Sequence, residues 1–312
     1  LDRADGLIDG IPEEATPEEV IRIARQALAL SEDCMAAWFE FGMYAEDVDT
    51  ALERFEKGIQ RGRVRFQEQI KESGEGHGLW GYIEARDFMR LLEEKAKALM
   101  ELNQLEQAME VYQEMLALNS GDNQGIRGEL LRILMIHRRL EDARRLLDRF
   151  PDDVMVDMVY GRALLEIVET MDRTNFDFPG LDLSDSYPSP AVFKKLLGPE
   201  FKKAYQLLDQ ATRINPFVPF LMTHGSILDV ETDSQIIFGG PYEAVLYCQN
   251  WYMLWYVTTL PFLMLAAHSS GYVKKLSKSP MIREELGDVV DQLDKISALG
   301  SPPWWHEIEE LK

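Results

Sequence analysis

A pattern of small and bulky residues that returns about every 35 positions restricts this chain more than any other feature. Over Leu91–Asn119, read as LLEEKAKALMELNQLEQAMEVYQEMLALN, apolar or small residues fall at Leu92, Ala96, Leu99, Ala108, Tyr112 and Met115. That spacing predicts two antiparallel helices. Ala96 and Ala108 let them approach closely, and the larger side chains fill the gaps on either side. The frame recurs upstream at Trp38, Phe41, Gly42, Ala51, Phe55 and Gly58, and downstream at Leu131, Leu134, Ala143 and Leu147. Ala143 lies 35 residues after Ala108.

Tyr160, Gly161 and Leu164 begin a further first helix, whose partner returns only at Ala204, Leu208, Ala211 and Pro216. Before the first pair, Pro17–Leu30 supplies a single second helix with Ala24 and Ala27. Small residues at repeat positions 8 and 20, with bulky ones at 4, 11 and 24, follow the tetratricopeptide spacing. The expected fold is therefore all-α: a right-handed tetratricopeptide (TPR) helical solenoid over residues 1–220, with an aromatic-rich C-terminal helical cap and tail over 221–312. Two stretches interrupt it. Gly62–Gly78 reads as a helix extension followed by a glycine-rich turn. Thr170–Pro190, rich in Pro, Asp and Ser, is an insertion within one repeat.

Ala244–Ala267 holds 24 consecutive residues without a charge, a length that could span a bilayer. Gln249 and Asn250 stand near its centre, and Tyr247, Trp251, Tyr252, Trp255 and Tyr256 fill the middle instead of forming two interfacial belts. A buried aromatic helix pair is favoured over a membrane segment, with a stop at Thr258–Pro261. Further on, Ile282, Leu286, Val289, Val290, Leu293 and Ile296 share one helical face, and Trp304-Trp305 follows two prolines. These tryptophans either pack back or form a partner patch.

Net charge is −21, from 54 acidic and 33 basic side chains. This excess argues against nucleic acid as a partner, since both would be polyanions. Two cysteines without a CxxC spacing make no disulfide framework, so a reducing, cytoplasmic setting is the expectation. The first residue is Leu1 and no charged-then-apolar leader follows it, which leaves targeting open. The five histidines lack metal-ligand spacing, and no nucleophile elbow, dinucleotide or phosphate-binding loop occurs. No enzymatic role, cofactor or metal is expected.

Several blocks go beyond the generic repeat: SEDC at Ser31–Cys34, GHGLWGYIEARDFMR at Gly76–Arg90, GDNQGIR at Gly121–Arg127, NPFVP at Asn215–Pro219 and FGGPYEAVLY at Phe238–Tyr247. In this order they resemble a mostly uncharacterised group of bacterial and lower-eukaryote tetratricopeptide proteins, distantly similar to the suppressor of tumorigenicity 7 family. The resemblance covers roughly residues 17–265 and implies an interaction scaffold, with no catalytic residues to carry over. Such relatives usually carry proline where Asp87 stands here.

In such solenoids repeat position 9 points into the concave groove. Here it is Lys97, Arg132 and Arg162, joined by Arg90 at position 2. A cation row inside an acidic protein suits a carboxylate, so the expected partner is a protein or an acidic peptide or C-terminal tail. Glu101, Glu129 and Glu166 lie three or four residues from these cations, so intrahelical pairing is the competing reading. Position 5 holds Glu93, Gly128 and Met158, which excludes the lysine of the chaperone-tail clamp. The expected function is a non-enzymatic scaffold holding a peptide in the groove. The alternative is a structural subunit packed through the aromatic region, ahead of a membrane-anchored adaptor. Oligomeric state is left open.

Overall fold

In the computed structural model, which describes residues 1–73, 78–176, 195, 197–222, 236–257, 261, 264 and 265, every regular element is helical. The chain divides into two compact units, Leu1–Leu130 and Leu131–Lys312.

The first unit begins with α1 (Asp2–Asp9), α2 (Pro17–Leu30), α3 (Met35–Met43) and α4 (Val48–Arg65). It continues through the short α5 (Gln67–Glu72) to α6 (Arg86–Glu101) and α7 (Leu105–Leu118). Helices pack in sequence, α1 on α2, α2 on α3, α3 on α4, α4 on α6 and α6 on α7. Local chemistry sets the boundaries. Thr16 and Glu19 form a reciprocal capping box at the start of α2, with Pro17 in its first turn. Asp47 caps α4 by accepting from the Thr50 amide at 2.7 Å. The single second helix expected at Pro17–Leu30 has a partner after all. Its mate is α1, a short helix with Ala4 fully buried against Ala27, Cys34 and Ala37. Eight residues are too few to display the repeat spacing, which is why the pattern missed it.

The second unit takes up from α8 (Ile126–Ile136) and holds α9 (Leu140–Arg149), α10 (Val156–Thr174), α11 (Lys202–Ile214), α12 (Val218–Leu221) and α13 (Pro241–Val257). Helix α10 packs on α9, α11 and α13. It runs through Thr174 and ends at Asn175 in the left-handed conformation, so the first part of the expected Thr170–Pro190 insertion is helix. The remainder, from 177, lies outside the described residues, as do 74–77 of the glycine-rich turn, the stop at 258–260 and the stripe at 282–296.

The 35-residue period is visible in the backbone itself. Asn103 and Arg138 both adopt positive φ, 57° and 53°, one residue before the capping residue of the second helix. The Gln104 amide donates to Leu99 O at 2.7 Å, and the Arg139 amide donates to Leu134 O at 2.8 Å. The same turn therefore closes α6–α7 and α8–α9. Close approach follows the small residues. A Cβ at Gly42 would stand 2.1 Å from the Phe55 ring, and one at Gly161 2.6 Å from Leu131. Ala96, Ala108, Ala143, Ala204 and Ala211 are all fully buried.

Candidate functional site

The predicted cations are placed on the expected helices, and each one with a resolved contact is engaged within its own unit. Arg90 and Lys97 sit on α6, seven residues apart and hence on one face, rising about 10 Å along the axis. Arg90 pairs with Asp87 at 3.1 Å. Asp87 is pushed above the usual carboxyl range, chiefly by burial and secondarily by Asp5 and Asp9, while Arg90 opposes the shift. Lys97 bridges Glu93 and Glu94, both at 2.8 Å, rather than the expected Glu101. Desolvation works against its ammonium, but the hydrogen bonds to the two carboxylates outweigh it and raise its pKa.

In the second unit Arg132 lies half-buried on α8. Arg162 does not reach Glu166, the intrahelical partner its spacing suggested. Its guanidinium donates to Leu147 O at 3.1 Å and Phe150 O at 2.9 Å, adding a second donor to two carbonyls at the end of α9 that already accept backbone amides. Burial lowers its pKa. Glu166, 3% exposed, is held instead by Lys203 at 2.6 Å and Arg144 at 3.3 Å, and Arg144 also pairs with Glu169. Trp304 and Trp305 lie outside the described residues.

A cleft that the repeat pattern did not announce opens beside Lys97. The α3–α4 turn and the last turns of α6 border an open cleft of about 280 Å³, floored by Gly42, Ala51, Phe55 and Ala98 and rimmed by Met43, Asp47, Glu94, Lys97 and Glu101. Arg54 secures the turn that forms one wall. It donates to Phe41 O at 2.7 Å, pairs with Glu46 at 2.9 Å and lies 3.9 Å from the Phe41 ring centroid. No period marks Arg54, because its role depends on the shape of one turn.

The motif blocks prove to be joints. Gly78 takes φ 66°, and a Cβ there would stand 2.9 Å from Asn119 Cα at the end of α7. Asp122, 5% exposed, accepts from the Ile126 and Arg127 amides at 2.8 and 2.9 Å and so starts α8. The NPFVP and FGGPYEA blocks meet. Asn215 Nδ2 donates to Gly240 O at 3.1 Å and Glu243 Oε2 at 2.9 Å, while its Oδ1 accepts from the Phe217 amide. The Gly239 amide also donates to Glu243, at 2.8 Å, and Tyr160 Oη donates to Asn215 O at 2.7 Å.

Tyr247, Trp251 and Trp255 of α13 face inward. Trp251 stacks on Tyr247 with centroids 5.3 Å apart and donates to Asp157 at 2.6 Å. Trp255 donates to Tyr247 Oη at 2.8 Å, and both tryptophans are fully buried. Among the described residues no helix is long and apolar enough to cross a membrane. Burial pushes the Cys34 thiol up to about 12, helped by Asp5, and raises Cys248 as well. Both thiols stay protonated at neutral pH and make poor nucleophiles. Among the described residues no three His, Cys, Asp or Glu side chains converge to hold a metal.

The chain resembles a suppressor of tumorigenicity 7 protein-like. That protein, from Danio rerio, is 24% identical over 252 residues, which cover 79% of this chain and 41% of the relative. The chain thus spans about two fifths of the curated relative's length. No family model matches it. The sequence blocks that suggested this similarity are the residues that shape turns and caps, so the likeness speaks to architecture.

Proposed function

We propose that this chain is a non-enzymatic interaction scaffold of tetratricopeptide type, in which the first helices of successive pairs line a face that holds a peptide or protein segment. The observation that carries the reading is the repetition of one helix–turn–helix joint at a 35-residue interval, at Asn103 and Arg138. Stacked pairs of this kind bury one face of each helix and leave extended surface for a partner. In the first unit that surface includes the cleft beside Lys97.

A structural subunit is the second reading. It is favoured by the consecutive exposed residues Ile236, Ile237 and Phe238, which are 50%, 72% and 65% exposed. Tyr247, Trp251 and Trp255 of α13 are engaged inside their own unit and supply less to such an interface than the sequence suggested.

Affinity capture by the full chain from source lysate separates the two. Wild type is compared with Lys97→Glu and with Trp304→Ala/Trp305→Ala, each checked for unchanged helicity. A partner whose recovery changes only with Lys97→Glu supports the scaffold. One lost only with the tryptophan pair supports the subunit. Recovery of no protein by wild type sinks the scaffold reading. Arg162 is left intact because its guanidinium is spent on two carbonyls at the end of α9.

A further inference from the structure

Charge around the α3–α4/α6 cleft runs opposite to that expected from a row of cations. Lys97 is its single rim cation, and Glu93 and Glu94 already hold it. Asp47 and Glu101 face the opening with Glu94, so one cation among three rim carboxylates leaves two net negative charges. Asp47 stays ionised, because hydrogen bonding to Thr50 holds its carboxyl below the usual range. Among the described residues neither Asp47 nor Glu101 makes a salt bridge. Arg54, the next cation, is turned into the α3–α4 turn toward Phe41 O and Glu46. Beneath this rim the floor is small and apolar, with Gly42, Ala51 and Ala98 beside the Phe55 ring, and Met43 stands 48% exposed at the edge.

We propose that this cleft binds a basic, partly apolar peptide segment, with a lysine or arginine head among the rim carboxylates and its methylene stem or an aliphatic neighbour on the apolar floor. The inference rests on the scaffold reading and names the charge of its ligand. Lys97 shows the chemistry within the chain itself: an ammonium bridging two carboxylates over an apolar surface. Lysine and arginine are built for such a seat, since their stems lie on apolar surface while the head stays polar. An acidic tail would meet like charge on three sides and leave its carboxylate without a free cation. The volume fits one long side chain and a neighbour rather than a folded domain.

The test measures fluorescence anisotropy of the labelled peptides GLKALKG and GLEALEG against the full chain. Two variants make the same change in net charge. Glu101→Lys acts at the rim, where a cation at the C-terminal end of α6 also favours the helix. Glu13→Lys acts on an exposed residue of the α1–α2 connection, outside the cleft. The basic peptide is expected to bind wild type, to weaken about tenfold with Glu101→Lys, and to stay within about twofold with Glu13→Lys. Equal weakening by both variants would reduce the effect to net charge and overturn the proposal. Tighter binding of the acidic peptide would overturn it too, while leaving the scaffold reading in place. If neither peptide binds, the proposal fails. Lysate capture then decides separately whether the scaffold reading fails with it.

Discussion

Gly62 stands where α4 meets α6 and shows how a single missing atom sets the spacing of two helices. A Cβ there would lie 2.2 Å from the Phe88 ring, which is fully buried and packs tilted against Phe66 with centroids 5.9 Å apart. Alanine has a better helix propensity by about 1 kcal/mol, so a glycine in mid-helix needs a packing reason. Gly62→Ala is therefore expected to lower stability by about 1–2 kcal/mol net, overpacking outweighing propensity. Urea denaturation with an unchanged m-value checks this, and a neutral or stabilising result would mean Phe88 can move aside. Arg162 teaches the converse at the same scale. Its position in the repeat was legible, and so was a carboxylate four residues on. Its real partners are two backbone carbonyls at the end of a different helix. Intrahelical spacing predicts which side chains can meet, and the tertiary position of a helix end decides which do.

At the scale of elements, the paired helices were legible because their small residues are spaced by the physics of close approach. The joints between them were seen only as unexplained motifs. Asn215 is the clearest case. It is fully buried, and its amide joins the end of α11 to the turn before α13 through Gly240 O and Glu243. Asn215→Ala would leave the 9%-exposed Glu243 carboxylate with one of its two donors, the Gly240 carbonyl with only the Ala244 amide, and the Phe217 amide without its acceptor. Buried polar groups that lose a partner cost more than the net worth of the bonds themselves. The expected loss is about 2–4 kcal/mol, read by thermal unfolding followed by circular dichroism. Substitution of the exposed Gln210, by contrast, should cost under about 0.5 kcal/mol. Sequence showed Asn215 and Glu243 in two separate blocks. No periodicity links residues 28 apart across a turn, so their contact had to come from the structure. The cleft was illegible for a related reason. Its walls come from a turn whose shape Arg54 fixes, and its charge depends on which carboxylates surround Lys97.

Over the whole molecule, net charge and local contact act on different steps of binding. A chain of charge −21 attracts a basic peptide from a distance and repels an acidic one, whatever the cleft does. This long-range part governs the encounter and is screened once the Debye length falls to about 8 Å, near physiological ionic strength. The contacts in the cleft form after encounter and govern escape. For GLKALKG, raising salt from about 20 mM to about 300 mM should therefore slow association roughly tenfold. Dissociation should change by less than about threefold over the same range. Glu101→Lys should act mainly on the dissociation rate, because it alters the seat and removes little of the total charge. Stopped-flow anisotropy across a salt series measures both rates. Association of GLKALKG that speeds up with salt would show that this basic peptide meets a positive field where it docks, against an acidic seat and in favour of the cations of α8 and α10. A salt effect confined to dissociation would place the whole interaction in local ion pairs, with no part for the −21 charge.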